Sequence, residues 1–273
     1  MPGTLFLVGT PIGNLADLSK RAIETLQQVD FIACEDTRQT AKLLASCGIS
    51  RPMRSYHEHN EAARAVEFAA ELAAGRRIAL VSDGGMPLLS DPGYRLVRAA
   101  IEAGAAVVPV PGAHAAVSAL AASGLPTDSY YFGGFLPAKR GARRAALEAV
   151  KTIPATLVFY EAPHRLLESL ADAREMLGDR DCAVARELTK VHEEIVRGRI
   201  SEVSAEFASR AVVKGEITVV ISRTAPVGEE TANDLAAEVA EREALGESRM
   251  EAIKSVARRR KIGKREVYRA LNP

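Results

Sequence analysis

Apolar positions in the first 120 residues alternate between two patterns. Short runs at Thr4–Val8, Phe31–Cys34, 78–81 and Ala106–Val110 predict buried strands. Between them, 18–28, 40–46, 61–74 and 94–103 repeat apolar residues at three- and four-residue spacing and predict amphipathic helices. Strand and helix taking turns in this way predict a parallel α/β sheet. A small-residue helix, Ala115–Ser123, closes the segment.

The segment GLPTDSYYFGGFLP (124–137) interrupts the pattern with Gly and Pro and is read as a domain boundary. A second α/β unit follows, with the basic stretch KRGARRAALEAVK (139–151), strands at 155–160, 182–186 and 216–222, a helix at 165–177 and a helical stretch at 201–209. RTAPVGEETAND (223–234) reads as a linker, and the rest as a short helical tail with a tight Gly turn, like a helix-turn-helix. The expected organisation is residues 1–123, 124–226 and 229–273.

Charge changes this picture only locally. The 273-residue chain is 47% hydrophobic with a formal net charge of +1, an ordinary globular balance. The tail is different: residues 249–273 hold nine Lys or Arg against two Glu, a polyanion-binding footprint. The stretch 103–125 has no charged residue and is long enough to span a membrane, but Pro109, Pro111 and Gly112 divide it into a strand, a turn and a helix. Cys34, Cys47 and Cys182 form no Cys-x-x-Cys pair, and the N-terminus lacks the flanks of a signal peptide, so a reducing cytoplasm is expected. His57 and His59 lack a third ligand at familiar spacing, and no metal site is expected.

Four loops of unusual composition follow the predicted strands of the first unit: GTPIGN (9–14), EDTRQT (35–40), SDGGMP (82–87) and PGAHA (111–115). Open α/β sheets bind ligands outside these strand ends. GTPIGN is not a dinucleotide fingerprint, and Pro11 removes an N–H that would cradle phosphate. In SDGGMP, Asp83 would repel phosphate but can accept hydrogen bonds from a ribose diol or an ammonium, or else cap the following helix. PGAHA opens a helix whose free N–H groups suit a carboxylate or an adenine edge. S-adenosylmethionine combines a carboxylate, an ammonium, a ribose and an adenine without any phosphate.

The segments LVGTPIGNLADLS, ACEDTRQT, HEHNE, LVSDGGMPLLSDPGYRLV, PGAHAA, GFLPAK, FYEAPHRL, ARELTK and GEITVVI, in this order, resemble the ribosomal small subunit methyltransferase I group of the tetrapyrrole methylase superfamily. The resemblance covers essentially the whole chain. It implies a class III methyltransferase: two α/β domains with S-adenosylmethionine in the cleft between them, a helical tail, and assembly as a homodimer. The implied reaction is methylation of the ribose 2′-oxygen of a cytidine in the decoding region of bacterial 16S rRNA, with the small ribosomal subunit as partner.

The superfamily's cofactor contacts map onto Pro11, Ile12, Val81, Ser82, Asp83, Met86, His114 and Ala115, and across the cleft onto the strand ends near Glu161 and Leu188. Two departures stand out, since the group usually shows SDAGTP and PGP-Ser/Cys-A. Here Met86 replaces a hydroxyl with a thioether, and His114 replaces a small residue.

A base must take the ribose proton. Glu161 is the first candidate, followed by Glu187, with Lys190 if burial lowers its pKa; Glu35 is a further carboxylate at a strand end. Glu187 could instead form a bracing ion pair with Arg186 or Lys190. Candidates for RNA phosphate contacts are Arg38, Lys139, Arg140, Arg143, Arg144 and Arg165, with Arg258, Arg259, Arg260 and Lys261 in the tail. A precorrin C-methyltransferase would share the fold but has no need of a basic tail. A ligand-sensing, DNA-binding regulator is the rival of another class.

Overall fold

A computed structural model describes residues 1–223, 232–260 and 263–271. Residues 1–151 and 155–222 form one compact unit. It begins with a parallel sheet of β1 (Thr4–Val8), β2 (Phe31–Cys34), β3 (Met53–Ser55), β4 (Arg77–Val81) and β5 (Ala106–Val110), in the order β3-β2-β4-β1-β5. The order reverses beside β1, so the loops after β1 and β4 leave the sheet next to each other.

Both faces of this sheet are covered, which is why its strands read as unbroken apolar runs. α1 (Lys20–Gln28) and α2 (Thr37–Ser46) bury Ala22, Leu26 and Leu44 with Val8, Ile32 and Val81. α3 (Glu61–Ala73) and α4 (Tyr94–Glu102) bury Phe68, Leu72 and Leu96 with Leu5, Phe31 and Leu80. Strand β3 is absent from the sequence-based reading. It is a three-residue edge strand with one apolar residue, too short to carry a period.

α5 (Ala115–Ser123), read from sequence as the end of the first domain, belongs by packing to the second. Its Ala116, Ala119 and Leu120 are buried against Val158, Ala183, Ala185 and Val220 of the second sheet. Small side chains let the helix lie close to those strands. The chain therefore crosses between sheets at 111–114, ahead of the expected boundary at residue 123.

The second sheet contains β6 (Tyr130–Phe135), β7 (Thr156–Glu161), β8 (Asp181–Arg186), β9 (Glu194–Arg199) and β10 (Ile217–Ile221) in the order β6-β7-β10-β8-β9. β6 and β7 are parallel and the other pairs antiparallel. α6 (Arg140–Val150), α7 (Leu166–Leu177) and α8 (Ile200–Ala208) complete it. The supposed boundary segment thus contains β6. Gly133 and Gly134 are strand residues, and a Cβ on Gly133 would come within 2.5 Å of the Phe159 ring. β9 was hidden because arginines and a glycine interrupt its apolar positions.

The tail is described by itself, in a second unit formed by 152–154 and the chain from residue 223. α9 (Ala232–Ala244), α10 (Arg249–Arg260) and α11 (Lys264–Leu271) enclose a core of Leu235, Val239, Ile253, Val256 and Val267. The expected linker reached residue 234, but α9 starts at 232. Most of that linker, 224–231, with the domain limits at 226 and 229, and also Lys261, lie outside the described residues. Among the described residues no helix is long and apolar enough to cross a membrane.

Candidate functional site

A cavity of about 810 Å³ lies between the two sheets, lined by the loops after β1 and β4, the start of α5, and the ends of β7, β8 and β10. Backbone bonds fuse its N-terminal wall. Thr10 and Gly85 exchange N–H···O bonds of 2.9 and 3.0 Å, and the Thr10 hydroxyl donates to the Ser82 carbonyl at 3.1 Å. Asp83 Oδ1 accepts from the Asp36 N–H at 3.1 Å, so this carboxylate ties two loops together and does not cap the next helix.

Glycine is required where loops 9–14 and 111–115 meet. A Cβ on Gly112 would stand 2.7 Å from the Gly9 backbone. Gly112→Ala is expected to destabilise the protein by about 1–3 kcal/mol through overpacking. By contrast Gly141→Ala, on the open side of α6 with nothing within 4 Å, should stabilise it by about 0.5–1 kcal/mol. Urea midpoints of the two variants on opposite sides of the parent would bear this out; equal midpoints would refute it.

Of the residues mapped from the resemblance, Pro11, Ile12, Asp83, Met86, His114, Ala115 and Leu188 line the cavity. Val81 and Ser82 do not. Val81 is buried in the first sheet's core, and Ser82 is buried behind the loop, where its carbonyl anchors Thr10.

His114 caps α5, its Nδ1 accepting from the Val117 N–H at 3.3 Å, the task a small hydroxyl performs at a helix start. Burial lowers its pKa, so the ring is neutral and an accepting Nδ1 leaves the proton on Nε2. The ring also stands edge-on to Phe132. Met86 keeps its place in the wall, and a Cβ on Gly9 would meet its sulfur at 2.7 Å.

Asp91 was missed, although it stands in the SDPG turn that leads into α4. It lines the cavity, and its pKa is pushed up to about 6, first by burial and then by the charges of Glu35 and Asp83, with the Ser82 hydroxyl opposing. Glu35 is raised too, by burial and by Asp83. The loop holding Asp91 is strained: Leu88 and Ser90 adopt φ of 76° and 73°, conformations that L side chains rarely adopt. The carboxylates gathered here repel one another, an arrangement that a nearby cation would relieve.

Each candidate base is held by partners. Glu161 is buried with both oxygens engaged: Oε1 accepts from the Ala162 N–H at 2.7 Å and pairs with Arg165 at 2.6 Å, and Oε2 accepts from the Ser169 hydroxyl. It lines the cavity, and its three donors leave one lone-pair site on Oε2 without a partner among the described residues.

Glu187 braces its loop, accepting from Lys190 at 2.8 Å and from the Glu216 N–H at 2.9 Å. These bonds, led by Lys190, hold its pKa low. Lys190 reaches the cavity, but although burial pulls its pKa down, Glu187 and Glu216 together raise it. It is an ammonium there, not a base.

Several supposed phosphate contacts are likewise spoken for. Arg143 is 1% exposed, its guanidinium 2.7 Å from Asp172, and cannot reach RNA. Arg165 serves Glu161, and Arg144 pairs with Glu175. Arg140 shares Asp172 yet stays largely exposed, Lys139 is exposed, and Arg38 is exposed while paired with Asp36 at 2.8 Å. In the tail Arg258 is exposed, whereas Arg259 and Arg260 both pair with Glu238. Among the described residues no cluster of His, Cys, Asp and Glu could hold a metal; His57 Nε2 instead lies 3.1 Å from the Asn60 amide.

Residues 4–204 match the model of the Tetrapyrrole (Corrin/Porphyrin) Methylases. The ribosomal RNA small subunit methyltransferase I of Halalkalibacterium halodurans is 50% identical, with 97% of this chain and 93% of that protein covered. Its Bacillus subtilis counterpart is 47% identical over 98% and 94%. Among solved structures, the methyltransferase CobJ superposes with a TM-score of 0.61 at 21% identity, covering 80% or more of both chains (82% and 95%), and uroporphyrin-III C-methyltransferase from Thermus thermophilus with 0.55 at 22% over 80% and 94%. The chain accordingly belongs to the ribosomal RNA small subunit methyltransferase I family, a methyltransferase family with the tetrapyrrole methylase fold.

Proposed function

We propose that the protein methylates 16S rRNA in the small ribosomal subunit, using S-adenosylmethionine, at the ribose 2′-oxygen of a cytidine in the decoding region. The observation that carries the cofactor is the cavity between the sheets with Asp83 and Asp91 in its wall, while family membership supports the substrate. The cavity is within the usual range for a small-molecule site. Asp83 and Asp91 would hold the ammonium or the ribose diol, and the α5 N-terminus with Ala115 the carboxylate or adenine edge. Leu188, Met86 and Tyr160 supply apolar wall. When bound, S-adenosylmethionine supplies an electrophilic methyl carbon on a sulfonium.

This chain's own part is to orient the attacking hydroxyl in line with the departing sulfur, and to exclude water between the two sheets. Lys190, held protonated by Glu187 and Glu216, sets a fixed positive charge at the wall, where it stabilises negative charge building on the ribose oxygen. Glu161, fixed at the β7 end by Ala162, Arg165 and Ser169, is the proposed acceptor of the ribose proton through the remaining lone pair of Oε2. A homodimer is part of this reading, and light scattering would measure its mass.

The decisive experiment incubates the protein with labelled S-adenosylmethionine and undermethylated small subunits, then maps the modified nucleotide. Label on a cytidine 2′-oxygen of 16S rRNA is the expected result. Transfer to a corrinoid precursor and none to subunits would overturn the proposal.

A further inference from the structure

Three cations of the tail converge on one depression. Lys254 and Arg258 stand one turn apart on the exposed face of α10, and Lys264 opens α11 after Gly263. With Ala257 they line one depression of about 200 Å³. None of the three has an ion-pair partner among the described residues, although carboxylates are close at hand in the sequence. Glu251 accepts from the Ser248 hydroxyl at 2.6 Å, with Lys254 near enough to help lower its pKa but forming no ion pair with it, and Glu238 takes both Arg259 and Arg260. The run of cations at 258–260 is thus split: the last two fasten α10 to α9, and Arg258 turns to the depression.

Like charges gathered in one depression repel one another, and the repulsion is relieved when a polyanion occupies the space between them. We infer that this depression is a phosphate-binding face for rRNA, contacted by Lys254, Arg258 and Lys264. The inference rests on the proposed function for the identity of the polyanion. An anionic membrane is the poorer match, because Ile253, Val256 and Val267 are spent in the tail's own core and leave no apolar stripe to enter lipid.

The test is the full-length variant K254Q/R258Q/K264Q. Its helical circular dichroism and its calorimetric affinity for S-adenosylmethionine should match the parent, since the three side chains are exposed and outside the cavity. Binding to undermethylated small subunits should weaken about tenfold at physiological salt. The plot of log K against log salt should become shallower by about 2, from three lost phosphate contacts at ~0.7 each. An unchanged salt slope in a parent protein that does methylate subunits overturns the inference alone. A parent that transfers no methyl to subunits overturns the proposed function instead. Tighter parent binding to phosphatidylserine vesicles than to subunit RNA, lost in the variant, would also overturn it.

Discussion

Asp172→Ala is expected to cost about 3–5 kcal/mol, the usual effect of stranding a buried charge. Arg143 and Asp172 are both buried, and two nitrogens of the guanidinium lie 2.7 and 2.8 Å from Asp172 Oδ2. The same guanidinium donates to the Ala138 carbonyl at 3.2 Å, and Arg140 shares the carboxylate. With Asp172 gone, Glu168 at 3.4 Å is largely exposed and too solvated to replace it. At ~2–4 °C per kcal/mol for a unit of this size, the melting temperature should fall by roughly 6–20 °C. The double variant Arg143→Met with Asp172→Leu removes both charges and should recover most of the loss, because a buried pair replaced by apolar groups is often near neutral. A single variant within about 1 kcal/mol of the parent would show that the pair does not hold α6 to α7.

That pair also marks where sequence reading stops. KRGARRAALEAVK was legible as a basic amphipathic segment, but its hydrophobic period cannot tell which arginine faces inward. Arg143 lies on the same helical face as Leu147 and Val150, and all three are buried. Period and position showed a residue on the buried side; only the partner at Asp172, 29 residues on, explains how a charge survives there.

The first sheet was legible because its strands are buried on both faces and joined by helices with a clear period. β3, β6 and β9 were not, being edge strands whose apolar positions are few or broken by glycine and arginine. The loops that form the cavity were visible by composition. Asp91 was not singled out, because a Ser-Asp-Pro-Gly turn has a local structural explanation, and its raised pKa depends on Glu35 and Asp83 arriving from other strands. Glu161 and Glu187 could not be weighed against each other from sequence for the same reason: how available a carboxylate at a strand end is depends on hydrogen-bond partners that arrive from elsewhere in the fold.

Asp91→Asn should move stability and cofactor affinity in opposite directions. The folded protein holds the Asp91 proton up to about pH 6, against an ordinary value of 3.8, so the native state binds more protons than the unfolded chain between those limits. Stability is therefore lost as pH rises through this window, and the whole penalty is present above it. The shift sets a ceiling of about 3 kcal/mol, and partial exposure reduces this to roughly 1–2 kcal/mol. Asparagine cannot ionise, so the cofactor-free variant should melt higher than the parent at pH 8 and show no such gain at pH 4. Binding runs the other way. A ligand cation offsets the charges of Asp83, Asp91 and Glu35, and loss of one charge-assisted contact at about 1.5–3 kcal/mol should weaken S-adenosylmethionine binding about 10- to 150-fold. In the parent, binding should also weaken as pH falls from 7 to 5, because the cation competes with the Asp91 proton, and most of that dependence should vanish in the variant. Calorimetric affinities across this pH range, beside melting curves without cofactor, test both halves. Equal cofactor affinity in parent and variant would remove Asp91 from the site, and an equal melting gain at pH 4 and pH 8 would show that its ionisation is not what costs the folded protein stability.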